Sequence, residues 1–161
     1  MKTGRKLEMA DLDEIYNTKI LELAGAMTHN ARLAEPDASA NAHSKLCGST
    51  IDVDLKMDRG RVSDYGQTVK ACLLGQAAAS VVAREIIGST PEELHTVATQ
   101  MKAMLKDNGP APSGKWADLG VLEAVRNYKA RHASTLLVFD AVERALAEIE
   151  ATNTTQTEPV T

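Results

Sequence analysis

The sequence predicts an α+β domain in which a three-stranded antiparallel sheet is covered by helices. Three observations lead there. From Thr50 to Met57 the chain alternates strictly, with Ile51, Val53, Leu55 and Met57 on one face and Thr50, Asp52, Asp54 and Lys56 on the other. That is the period of a half-buried strand. Asp58-Arg59-Gly60 then gives a hairpin turn, with glycine supplying the positive φ. After Cys72 the pattern becomes helical, and Ala77, Ala78, Ala79 and Ala83 allow that helix to lie close to the sheet.

Taken in order, the first helix is expected to begin near Asp11. Asp11 and Glu14 form a D-x-x-E start, and Leu12, Ile15, Tyr16, Ile20, Leu23 and Met27 keep helical spacing. Glu35-Pro36-Asp37 interrupts helix, so residues 28–38 are irregular, and Ser39 to Lys45 is a first strand. The third strand runs from about Arg61 to Lys70. Val62 is out of phase with Tyr65, Gln67 and Val69, which predicts a bulge near Ser63 or Asp64. Gly88 ends the second helix. Thr90-Pro91-Glu92-Glu93 starts the next, with Thr90 as N-cap and Pro91 at N1. Its buried stripe is Leu94, Val97, Met101, Met104 and Leu105, with the methionines read as core. Asn108 to Lys115 is a loop, and Trp116 to Val125 a short helix anchored by its tryptophan. A last helix spans about Ala130 to Glu150. Residues 1–10 are expected to be a flexible N-terminus, 11–150 the folded domain and 151–161 a disordered tail with little to bury.

Composition removes several function classes. A chain of 161 residues fits one domain, and a net charge of −4 favours neither nucleic acid nor an anionic membrane. Aromatics are too sparse for stacking platforms. No run approaches the roughly 20 apolar residues of a membrane span. The opening Met-Lys-Thr-Gly-Arg-Lys-Leu-Glu lacks the apolar core of a signal peptide. Two cysteines without a secretion signal point to a reducing compartment, so the cytoplasm is expected.

Those cysteines, Cys47 and Cys72, flank the central hairpin. An antiparallel pair returns its far end to its near end, so the two thiols are expected to meet at one edge of the sheet. Considered alone, two cysteines so placed fit buried, inert thiols at least as well as a site. The surrounding motifs add to this. Cys47-Gly48-Ser49 and the run K-A-C-L-L-G-Q-A at 70–77 resemble the first and second cysteine motifs of the NifU/IscU/SufU iron–sulfur cluster assembly scaffolds. K-A-R-H-A-S-T-L-L at 129–137, followed by Asp140-Ala141-Val142, resembles the third motif region. The resemblance covers Tyr16 to about Leu146 and is nearest the SufU branch. It implies a SufE/NifU-like fold.

The family carries Cys-Gly-Asp in its first motif and a cysteine in its third. Here Ser49 stands at the aspartate and Ser134 at the cysteine. The resemblance implies a scaffold, not an enzyme, that binds a cluster, iron or zinc, or accepts sulfur, through Cys47 and Cys72. Ser49 and Ser134 take the remaining ligand positions, and His132 is a further candidate. Partners implied are a cysteine desulfurase, other cluster-assembly proteins and recipient apoproteins. A cluster short of ligands could also be shared in a homodimer. The alternative is a degenerate scaffold that binds a desulfurase without a stable metal site.

The chemistry fits those residue types. Thiolate is a soft, anionic ligand for zinc, iron and clusters, and a thiol at a helix start favours its anionic form. Lys70 adds a nearby positive charge, and Arg131 one that could attract an anionic cluster or partner. Serine hydroxyls are poorer ligands, being neutral near pH 7. His43 is unfavourable, because an extended strand at about 3.3 Å per residue puts it about 13 Å from Cys47. His29 and His95 have no motif support. Asp52 and Asp54 share a strand face and are read as its wet side. A Cys72–His132 nucleophile pair lacks an orienting third group. No G-x-G-x-x-G, P-loop, H-E-x-x-H or C-x-x-C occurs.

Overall fold

The computed structural model describes residues 17–45 and 48–157, with side chains through 152. Helix α1 (Thr18–Gly25) is followed by strands β1 (Ala38–His43), β2 (Thr50–Asp58) and β3 (Arg61–Lys70). Helices α2 (Leu73–Glu85) and α3 (Pro91–Lys106) come next, then a 3-10 segment (Gly114–Asn127), a 3-10 turn (Lys129–Arg131) and helix α4 (His132–Thr157). The strands form one antiparallel sheet in the order β1-β2-β3. The expected α+β class is what the chain adopts.

Alternation builds β2. Ile51, Val53 and Leu55 are all buried on the helical side. Arg59 and Gly60 both have positive φ, at 54° and 78°, which gives the two-residue turn whose twist suits a hairpin. Lys56 pairs with Asp64 and Met57 with Val62, so Ser63 is the extra residue of a bulge. The bulge resolves the phase conflict, because Val62 and Tyr65 are both buried.

Helix α2 is buried nearly all round, and its alanines let it sit between the sheet and α4. Helix α4 lies across β1 and β2, with α3 packed on its outer side. The Thr90 hydroxyl accepts the Glu93 N–H at 3.2 Å and caps α3. The Glu93 carboxylate does not close a capping box. It pairs with Lys115 instead.

Helix α1 runs from Thr18 behind an Asn17 cap, and the expected helix start near Asp11 lies outside the described residues. Three expectations need correction. The segment read as an ordinary helix from Trp116 to Val125 is 3-10. Its buried residues, Trp116, Leu119, Leu122 and Val125, recur every third position, which matches three residues per turn. The last helix does not stop at Glu150. It continues through Thr157, into the stretch expected to be a tail. Finally, Asp54 is not on a wet face. The loop of residues 28–37 crosses the outer side of the sheet, and the Asp54 carboxylate is fully buried beneath it. The Arg32 guanidinium donates to it through Nε at 2.7 Å and Nη2 at 3.0 Å, and the Leu33 N–H donates at 3.0 Å. Burial pushes the Asp54 carboxyl up, but Arg32, Ser39 and the Leu33 N–H outweigh it and hold it below the usual range.

Candidate functional site: one end of the central hairpin

The β2–β3 ladder ends where Thr50 pairs with Lys70. Ser49 and Ala71 therefore leave the sheet together. On the first side the Gly48 N–H donates to the Ser44 carbonyl at 2.9 Å, and the Ser44 N–H donates to the Ser49 carbonyl at 2.8 Å. This closed turn needs Gly48 at φ +70°, a conformation that side chains disfavour. Cys47 and Leu46 lie outside the described residues.

On the second side Cys72 is the N-cap residue of α2. Its carbonyl accepts the Gln76 N–H at 2.9 Å, while its sulfur makes no capping bond. The half-buried Sγ instead lies 3.4 Å from the Ser134 Oγ. Gly75 makes this contact possible. A Cβ there would stand 2.9 Å from the Ser134 carbonyl oxygen, so α2 and α4 meet at backbone distance.

Ser134 is buried, and its hydroxyl has one proton for two acceptors. It reaches the Arg131 carbonyl at 3.2 Å and Cys72 at 3.4 Å. Thr135 already donates to the same carbonyl at 2.8 Å. The Ser134 proton can therefore turn to a Cys72 thiolate without stripping that carbonyl of its partner. Gly48, Ser49, Lys70, Ala71, Cys72 and Arg131 line an open pocket of about 500 Å³ over this contact. Two cations, a thiol and the buried Ser49 thus face one space.

Cys72, Ser134 and Ser49 lie together at one end of the sheet, while the expected meeting of the Cys72 and Cys47 thiols falls outside the described residues. His132 does not join them. Its buried ring directs Nε2 to the carbonyls of Val125 at 3.0 Å and Arg126 at 3.2 Å. That nitrogen must carry the proton and offers no lone pair to a metal. His43 is nearer the site end than its chain distance suggested. The β1–β2 turn sets it opposite Thr50, but it is exposed and does not line the pocket. His29 stacks edge-on to Tyr65, and His95 lies between Glu143 and Glu150.

Among the described residues no group of three His, Cys, Asp or Glu side chains could hold a metal ion. The described donors at the pocket are one thiol and two hydroxyls. They do not fit the closed four-ligand site that structural zinc requires.

The family described as "NifU-like N terminal domain" matches residues 15–135. The iron-sulfur cluster assembly scaffold protein IscU of Thermotoga maritima is 25% identical over 135 residues, 84% of this chain and 94% of that protein. The zinc-dependent sulfurtransferase SufU of Bacillus subtilis is 23% identical over 144 residues, 89% of this chain and 97% of that protein. The crystal structure of a nitrogen-fixing NifU-like protein (N-terminal) from Brucella abortus is 57% identical, with a TM-score of 0.86 over 88% of this chain and 98% of its own. With its three-stranded sheet, its cysteine at the head of α2 and a match over most of its length, the chain belongs to the NifU-like N-terminal domain family.

Proposed function

We propose that the chain serves iron–sulfur cluster assembly as a NifU-like scaffold that carries sulfur, or a cluster as cargo, on Cys72. The supporting observation is the Cys72 sulfur against the Ser134 hydroxyl, in an open pocket flanked by Lys70 and Arg131. The two cations suit anionic cargo. The partner is a cysteine desulfurase, and other assembly proteins and recipient apoproteins act downstream. The chain is a carrier and not a turnover catalyst.

In the sulfur step, the Cys72 thiolate attacks the outer sulfur of the donor's persulfide. A new S–S bond forms on Cys72, the donor's S–S bond breaks, and its electron pair leaves as the donor thiolate. No net oxidation occurs. The Ser134 hydroxyl is placed to stabilise the attacking thiolate. A desulfurase fed labelled cysteine, incubated with this chain under reducing-agent-free anaerobic conditions, is expected to label Cys72. Label retained in full by Cys72→Ser, or absent from the parent, refutes the assignment.

A second reading follows from the two hydroxyls at family ligand positions. It makes the chain a desulfurase-binding protein without a stable metal site. Iron and sulfide analysis of anaerobically purified protein separates the two. In the double substitution Ser49→Asp with Ser134→Cys, zinc is expected to raise the melting temperature more than in the parent. Zinc at a hundredfold excess over its dissociation constant corresponds to about 2.7 kcal/mol. Unchanged zinc affinity would show that Ser49 and Ser134 do not occupy ligand positions.

A further inference from the structure

A second pocket, of about 510 Å³, opens beside the turn that leads into α4. Lys106 and Asn108 line it from the end of α3, Arg126 from the 3-10 segment, Lys129 from the turn, and His132 and Ala133 from the start of α4. Three of these are cations, and no Asp or Glu is among the lining residues. In a chain of net charge −4 such a convergence needs a reason.

Arg126 supplies the second observation. Its Nη2 donates to the Gly109 carbonyl at 3.1 Å, and Glu123 approaches only at 3.8 Å from a half-exposed position. Its Nε is buried without a hydrogen-bond partner, alone in this among the described side-chain atoms. A buried donor left unpaired is costly, so the guanidinium is held short of a partner. Lys129 is exposed and makes no ion pair among the described residues. Lys106 lies in the field of Asp140. His132 donates its Nε2 proton to the Val125 and Arg126 carbonyls, which fixes the Arg126 backbone against the first turn of α4. The positive end of the α4 dipole opens on the same space.

We propose that this pocket binds a small oxyanion carrying two or more charges, either a phosphate compound or a polycarboxylate. The volume suits a small ligand. A planar guanidinium beside two ammonium groups matches clustered anionic oxygens, and with no acid in the lining Lys129 has no ion pair among the described residues and is left for a ligand. The site is separate from Cys72 and does not depend on the sulfur-carrier role.

The full chain is titrated calorimetrically with pyrophosphate and, separately, with citrate, at constant ionic strength so that screening is unchanged. One-site binding with a dissociation constant of about 1 mM or tighter is expected for at least one of them. Binding of pyrophosphate alone identifies phosphate as the source, and binding of citrate alone identifies carboxylate. Lys129→Glu and Lys106→Gln, each checked for a parental circular dichroism spectrum, are expected to weaken binding at least tenfold. Arg59→Gln, on the distant hairpin turn, is expected to leave it unchanged. Absence of binding by both anions overturns the proposal, as does equal affinity in the parent and both lysine variants.

Discussion

Gly75→Ala tests whether the close approach of α2 to α4 sets the Cys72–Ser134 contact. In an ordinary helix interior this change stabilises by about 0.5–1 kcal/mol, because alanine loses less backbone entropy. At Gly75 the sign reverses. The added methyl would stand 2.8 Å from the Ala71 Cβ and 2.9 Å from the Ser134 carbonyl oxygen, against 3.4–4 Å for ordinary contact. A backbone carbonyl inside α4 cannot rotate away, so the helices must part. Overpacking of this kind costs about 1–3 kcal/mol. Net of the helix gain, a loss of about 1–2 kcal/mol is expected. For a chain of this size that lowers Tm by about 2–8 °C. Urea denaturation gives the stability. Alkylation of Cys72, measured in a Cys47→Ser background, reports the site, and its rate is expected to fall as the sulfur loses the Ser134 donor that serves its attacking form. A Gly75→Ala protein that is more stable than its parent, with unchanged alkylation, would refute the account of how the site is held.

Two further predictions concern charge. Asp54→Asn keeps the shape but loses the carboxylate that Arg32, Leu33 and Ser39 address, and should cost about 2–3 kcal/mol at pH 7 in urea denaturation. Because the folded carboxyl is depressed, its contribution is present above the unfolded value near pH 4 and is lost as pH falls through the folded value. The variant should therefore match its parent most closely in acid, and a gap independent of pH would count against the ion pair. His95 is raised, first by the Glu150 hydrogen bond and then by Glu143, against partial desolvation that lowers it. Its contribution is full below about pH 6.5 and is lost as pH rises through the folded value. With the ring 41% exposed, screening limits the effect to about 0.5–1 kcal/mol. His95→Gln should thus destabilise at pH 6 and be nearly neutral at pH 9, and the opposite order would exclude the pairing as drawn.

The hairpin was legible because strict alternation leaves a strand one register, and because two positive-φ positions at Arg59-Gly60 fix its turn. Even the bulge at Ser63 followed from a phase conflict in the pattern. Asp54 was misread since alternation says which face a residue takes, but not what covers that face. The available signal was Gly66. A Cβ there would strike the Ala31 carbonyl, which is what a glycine inside a strand often marks. The 3-10 segment shows in the sequence only as a period of three, at Trp116, Leu119, Leu122 and Val125, which a short helix of period 3.6 also nearly fits. At the site, the motifs located Cys72, Ser49 and Ser134, but side-chain direction was beyond their reach. His132 is two residues from Ser134 on one helix, and that spacing turns the two side chains to different sides.

The way Ser134 is held bears on what the site can do. A cysteine at this position would bring a second soft, ionisable donor within reach of Cys72. A serine brings a hydroxyl that remains neutral and therefore donates. Its proton can serve the sulfur because Thr135 keeps the Arg131 carbonyl satisfied. The contact thus offers Cys72 a hydrogen-bond donor while adding little as a ligand. Lys70 and Arg131 act in the same direction, drawing negative charge to the pocket without coordinating metal. In the proposed role these features belong together: one sulfur kept reactive, an entrance that attracts anionic cargo, and too few described donors to retain a metal. Gly75 then has a chemical reason to remain glycine, since any side chain there would separate the thiol from the hydroxyl that tunes it.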